Sequence, residues 1–418
     1  MATLSETIAQ TVDDLIRREF APDLPRLEAA PDAAWERLRA TGTQLWLDTG
    51  DIDEASKLWT AEFSALTTNN TLLNKEVQKG IYDGLIAKAA AAIRAAAPGV
   101  DEQTLILEVA FVLNAWHGLR LVDRFGARVS VEMHTDLAHD VEKSVYYGKR
   151  YHAVCPGSFT IKVPLTPAGY LAARRLAAAG LVINFTLGFS ARQNYLAALL
   201  TQPAYVNVFM GRLNAFVIDN TLGDGENVGE KATLATQREL VVLRQSKRSN
   251  TALIGASMRD GRQVPSLAGL DVFTMPPKVA AQYHEAPAPE LAPQVENDPE
   301  VRFAAGVALG DFNGDTLWDV PKRFKHCVDD LLKKDLDALT PESLQAHFEL
   351  GGFPGFLPAW TAQETEVVAA DGKIPVFAHW TDRLRTGALG LDALMNVSGL
   401  YSFIQDQNAL DARIKSFL

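Results

Sequence analysis

Between Leu45 and Met275 the chain alternates short β-favouring runs with longer stretches whose apolar residues recur at helical spacing. The runs are Leu45 to Gly50, Phe63 to Asn70, Arg128 to Met133, Ser158 to Pro164, Leu181 to Thr186, Tyr205 to Phe209, Ala252 to Ser257 and Leu270 to Met275. Helical patterns cover Asp51 to Trp59, one long Ala-rich stretch from Leu72 to Ala97, Asp101 to Phe125, Ala138 to Tyr151, Ala168 to Ala179, a segment capped by Ser190 that runs to Leu200, and Lys231 to Lys247. Strand followed by helix, repeated, predicts parallel βα units. Eight strands in this span predict a (β/α)8 TIM barrel, a fold of about 250 residues.

Outside that span the pattern changes. Leu4, Ile8, Val12, Leu15 and Ile16 share a helical face, and proline interrupts at Pro22 and Pro31, so residues 1–44 read as a leading helical layer. Residues 45–283 form the barrel, and 284–418 form a linker and a mainly helical extension. In the extension, residues 284–297 are rich in Pro, Ala and Glu. Helices are expected over 323–332, 341–350 and 389–418, with a turn cluster at 351–356.

The 418 residues are 47% hydrophobic and 22% charged, enough for one large domain with an appendage. A formal net charge of -11 with no clustered basic face argues against a nucleic-acid partner, so any anionic ligand must be held by a few local arginines. Two cysteines, Cys155 and Cys327, exclude a disulfide scaffold and a multi-cysteine metal site. The start, Met1 to Thr7, lacks the pattern of a secretory signal, and no apolar run reads as long enough to span a bilayer. A cytoplasmic location without a membrane partner is expected.

Candidate chemistry begins at Lys162, a lone lysine near the carboxyl end of the β-favouring run Phe159-Thr160-Ile161-Lys162-Val163-Pro164. In an α/β barrel that end is the active-site rim, where a lysine among apolar neighbours gains a usable free amine for Schiff-base formation. The alternative reading is a solubilising lysine on an edge strand. Other strand ends supply Asp48, Asn69, Glu132, Asn184, Thr186, Asn207 and Arg212, with Arg259 just past the seventh. Taken singly, Asp48 also suits a helix N-cap, Glu132 a structural ion pair, and the two arginines surface salt bridges.

The order and spacing of Trp46-Leu47-Asp48-Thr49-Gly50-Asp51, Thr67-Thr68-Asn69, Val129-Ser130-Val131-Glu132, Thr160-Ile161-Lys162-Val163-Pro164, Asn184 to Ser190, Phe209-Met210-Gly211-Arg212 and Ala256-Ser257-Met258-Arg259 resemble the transaldolase family over roughly Leu45 to Pro277. The resemblance implies a cofactor-free enzyme of carbohydrate metabolism, of the pentose phosphate pathway type, acting on sugar phosphates, with a homodimer allowed. Lys162 would attack a ketose carbonyl, and Asp48 would act as base in cleaving the bond between the third and fourth carbons. Glu132, with a water held by Thr186, would shuttle protons. Asn69, Asn184 and Ser190 would line the sugar site beside Phe209. Arg212 and Arg259, with Ser257 or Asn207, would bind the distal phosphate.

Three departures from the family pattern bear on this. Asn70 stands where proline is usual, which predicts a less rigid second loop. Asn207 stands where serine is common in the anion site, which opens the way to a sulfonate or an unphosphorylated end. Phe209 stands where fructose-6-phosphate aldolases tend to carry tyrosine, which favours transfer over release of dihydroxyacetone. A catalytically silent sugar-binding barrel is the alternative from another class. Asp311 to Asp319 resembles the start of a calcium loop but meets Lys322 where the closing acid belongs, and reads as a polar turn. His134, His139 and His152 lack ligand spacing, and no metal is expected.

Overall fold

A computed structural model describes residues 3–418. Eight parallel strands close in sequence order into a barrel: β1 (Gln44–Asp48), β2 (Phe63–Thr67), β3 (Arg128–Glu132), β4 (Phe159–Pro164), β5 (Ile183–Thr186), β6 (Tyr205–Phe209), β7 (Ala252–Ala256) and β8 (Val272–Met275), with β8 pairing back onto β1. The strands sit where the alternation of the sequence puts them. Parallel strands in a barrel are covered on both faces, which is why β4 is buried at all six positions. Burying Lys162 is therefore a property of the strand, and the edge-strand reading has no edge to act on.

Ahead of the barrel lie α1 (Leu4–Glu19) and α2 (Ala33–Ala40), separated by an extended stretch. The βα units add α3 (Ile52–Leu58), then α4 (Asn70–Gln78), α5 (Asp83–Ala96) and α6 (Glu102–Phe125) between β2 and β3, followed by α7 (Val141–Val154), α8 (Pro167–Ala178) and α9 (Ala191–Leu200). Between β6 and β7 lie α10 (Met210–Asp219) and α11 (Val228–Gln245), and α12 (Gln263–Ser266) and α13 (Pro277–Glu285) follow β7 and β8. Starts are chemically marked: Asp51, Asn69, Asp101, Asp140, Thr166 and Ser190 each accept a backbone N–H two or three residues into the helix they open. The cap of α3 is thus Asp51, which leaves Asp48 free of that duty.

Several expectations are corrected. The long Ala-rich stretch is two helices, because the chain turns at Gly80, whose φ is +80°. Helix α10 has no counterpart in the sequence reading, and His284 belongs to α13 rather than to a linker. One helix, α6, is long and apolar enough to cross a bilayer, contrary to the reading of the apolar runs. Two-thirds of its apolar window (67%) is buried against the rest of the fold, as in a core helix.

Beyond residue 285 the chain continues with α14 (Lys322–Leu331), α15 (Pro341–Leu350), α16 (Ala362–Asp371), α17 (Thr381–Arg385) and α18 (Leu391–Lys415). Helices α16 and α17 were not foreseen. Phe324, Phe348, Phe353 and Phe356 form an aromatic cluster that packs α14 and α15 together.

Helix α18 lies across the carboxyl-end mouth of the barrel. At its start, buried Asp392 takes Arg192 Nε at 2.7 Å, Arg192 Nη2 at 2.6 Å and the Ser190 hydroxyl at 2.7 Å. Midway, Asn396 donates to Leu187 O at 2.7 Å. Toward its end Asn70 donates to Gln407 Oε1 at 2.7 Å and Arg413 donates to Asp83 at 2.6 Å. These ties run from the β5 side to the β2 side. Asn70 is the first residue of α4, held also by a bond to Met133 O at 3.4 Å, so the loop expected to be loose is pinned.

Candidate active site

A cavity of about 460 Å³ opens at this mouth, lined by Asp48, Asn69, Lys162, Asn184, Asn207, Phe209, Arg212, Ser257 and Arg259 from the strand ends. At its floor the Lys162 amine donates to Thr68 O at 3.0 Å and stands 3.2 Å from Glu132 Oε2, both side chains being only 4% exposed. Strand register sets this pair, since Glu132 is opposite Lys162 across β3 and β4. The amine's neighbours are therefore acidic as well as apolar, with Glu132 on the adjacent strand.

Asp48 Oδ1 accepts the Thr67 hydroxyl at 2.7 Å, and Thr67 in turn lies 2.7 Å from the Thr274 hydroxyl. With Thr67 donating to the carboxylate, Thr274 donates to Thr67, which fixes the carboxylate from below. Burial raises the pKa of Asp48, offset in part by Lys162, the Thr67 hydroxyl, Arg259 and Lys75. Burial also raises Glu132, against the pull of Lys162. Arg212 is pulled down to about 10 by burial, with the Arg259 charge adding to the effect.

Each predicted side chain can be followed. Asn184 donates to Ser130 Oγ at 3.0 Å and leaves its buried Oδ1 without a partner. Asn69 caps α4 through Oδ1, which accepts Leu72 N at 2.9 Å. Thr186 and Glu132 are not part of the cavity lining; Thr186 Oγ1 is buried without a hydrogen-bond partner, whereas Glu132 Oε2 has the Lys162 amine beside it. Ser257 lines the cavity at φ +61°, a strained position for a side-chain-bearing residue. Gly211 allows the approach, because a Cβ there would meet Ser257 O at 2.2 Å.

Two residues differ from expectation. Ser190 points away from the cavity, where its hydroxyl caps α9 and donates to Asp392. Asn207 lines the cavity but uses its amide in the scaffold: Oδ1 accepts Gly188 N at 3.0 Å and Nδ2 donates to Phe185 O at 2.5 Å. The reason is local. Strands β5 and β6 share a single register pair, Asn184 with Tyr205, and the Asn207 side chain bridges the gap above it.

The sequence reading missed Lys75, Thr274, Lys373, Phe403 and Asp406, all of which line the cavity. Thr274 could have been found as the inward residue near the end of β8. Nothing in the sequence signals the last three, which arrive from the extension. Among the described residues no three His, Cys, Asp or Glu side chains converge as a metal site would require.

Comparison with known proteins agrees with this geometry. The profile of the transaldolase/fructose-6-phosphate aldolase family matches residues 45–334. A transaldolase of Xanthomonas oryzae pv. oryzae is 30% identical over 280 residues, 62% of this chain and 84% of that protein. A probable transaldolase of Thermus thermophilus is 32% identical over 252 residues, 59% of this chain and 93% of that protein. On the strength of that match, over a barrel whose strand ends gather lysine, carboxylates and arginines at one mouth, the chain is an enzyme that belongs to the transaldolase/fructose-6-phosphate aldolase family.

Proposed function

We propose that this enzyme moves a dihydroxyacetone unit from a ketose phosphate to an aldose acceptor through a Schiff base on Lys162. The observation that carries the reading is the buried amine 3.2 Å from Glu132, with Asp48 on the same cavity. The amine adds to the ketose carbonyl, and Glu132 supplies the proton that lets the carbinolamine lose water. Asp48 then takes the proton of the hydroxyl on the fourth carbon. The bond between the third and fourth carbons breaks, its electrons pass into the protonated imine, and an aldose leaves while the enamine stays on Lys162. An acceptor aldehyde reverses the sequence.

The unpartnered atoms support these roles. Thr186 Oγ1 is a buried hydroxyl of the kind that a bound water satisfies, and Asn184 Oδ1 is free to accept a sugar hydroxyl. Arg212 and Arg259 suit the distal phosphate. Asn207, engaged by the scaffold, is left out of that role.

Release of free dihydroxyacetone is the second reading, since the family description covers both activities. Phe209 favours transfer, because its ring has no hydroxyl with which to hold a water against the enamine. The test is incubation of the enzyme with a ketose phosphate, with and without an aldose acceptor. Transfer predicts a new ketose only when acceptor is present and little free dihydroxyacetone without it. Comparable dihydroxyacetone release without acceptor indicates the aldolase, and no product in either case indicates a silent barrel.

A further inference from the structure

The family match ends at residue 334, yet Lys373, Ser402, Phe403 and Asp406 line the same cavity as Lys162. Their place follows from α18 lying across the mouth. The helix passes so close to Arg212 that a Cβ on Gly399 would stand 3.2 Å from Arg212 Nη1 and 2.8 Å from Leu187 Cδ2. The rings of Phe209 and Phe403 lie against the Arg212 guanidinium, with centroids 5.6 and 5.4 Å from it.

Arg212 is 8% exposed, and its Nη1 has no hydrogen-bond partner. A buried donor on a cation without a partner is costly, and such a group implies a ligand that satisfies it. Lys75, Arg259 and Lys373 line the cavity too, and none of them has an ion-pair partner among the described residues. With Lys162, which Glu132 pairs, and Arg212 they make five cations against the three carboxylates of Asp48, Glu132 and Asp406, in a chain whose net charge is -11. Asp406 is itself held by the Thr71 hydroxyl.

We propose that the segment after residue 334 completes the anion end of the site. Phe403 fixes the plane of the Arg212 guanidinium, and Lys373 adds a third cation to Arg212 and Arg259. Three cations suit a doubly charged terminal group, so Lys373 is the residue that sets the preference of this end for the phosphate of the proposed donor over a singly charged sulfonate or an uncharged sugar end. This deepens the transfer reading and rests on it for the identity of the sugar. The anion site itself can be tested without turnover.

The test is calorimetric titration of the full-length protein and of its Lys373→Gln and Phe403→Leu variants with inorganic phosphate at pH 8 and, separately, with methanesulfonate. The wild-type protein is expected to bind phosphate about tenfold more tightly than methanesulfonate, and Lys373→Gln to weaken phosphate binding by about tenfold and narrow that preference. Phe403→Leu, folded by circular dichroism, should weaken phosphate binding several-fold. No phosphate binding by the wild-type protein, equal phosphate affinity in Lys373→Gln, or no preference over methanesulfonate overturns the proposal. A protein that binds phosphate in this way but transfers no three-carbon unit defeats the proposed function and leaves the anion site standing. An active transferase whose phosphate affinity ignores Lys373 defeats only the anion-site proposal.

Discussion

Glu132 Oε2 lies 3.2 Å from Lys162 Nζ, and the two residues are also register partners on adjacent strands. The acid is thus placed by the sheet itself, not by a flexible loop. Replacing it with an amide keeps the shape and removes the proton shuttle. Glu132→Gln should lower kcat about a hundredfold, with single-turnover experiments showing imine formation as the slowed step. A kcat within twofold of wild type would remove Glu132 from the mechanism.

Asp48 must be ionised to act as a base, and burial holds its pKa above the ordinary 3.8. The acid limb of the pH–rate profile should therefore fall above pH 3.8, and a limb at or below that value would contradict the assignment. The stability consequence has a definite sign. A raised folded-state pKa means that the folded protein keeps this proton to higher pH than the unfolded chain does. Stability is therefore lost as pH climbs from 3.8 through the raised value. At pH 7 the charged carboxylate is a burden that Asp48→Asn relieves. That variant should be inactive and melt about 2 °C higher in calorimetry, whereas an unchanged or lower Tm would count against the account.

The eight strands and their polar ends were legible because a barrel imposes one alternation throughout: buried strand, polar end, amphipathic helix. Lys162, Asp48, Glu132, Asn184, Arg212 and Arg259 follow from that rule. Ser190 was misplaced because a serine at a helix start satisfies the backbone equally well in any fold, and its partner Asp392 lies 202 residues away. Asn207 was misjudged because splaying of β5 from β6 has no local signature. Phe403 and Lys373 could not be read at all: helical spacing shows that α18 is a helix, not which surface it crosses.

Asp392 is fully buried and forms a bidentate pair with Arg192 at 2.6 and 2.7 Å. Removing one partner strands the other charge in the interior. Asp392→Ala should cost about 3–5 kcal/mol in denaturant unfolding. A loss below about 1 kcal/mol would mean that this pair does not secure the start of α18.

Asn70 occupies the first turn of α4, where proline is compatible with the helix, and its backbone N–H is not used by another residue among the described ones. Asn70→Pro should keep α4 but lose both the 2.7 Å bond to Gln407 and the 3.4 Å bond to Met133 O, costing about 1 kcal/mol and speeding proteolysis within α18. Unchanged proteolysis would show that the remaining ties hold the helix without this one.

The central claim is that Lys162 becomes covalently bonded to the sugar. Incubation with a ketose phosphate, reduction with borohydride and peptide mass spectrometry test it directly. The account predicts a reduced three-carbon adduct on Lys162, absent from Lys162→Ala. An active enzyme that yields no adduct, or one bearing it on a different lysine, would contradict it.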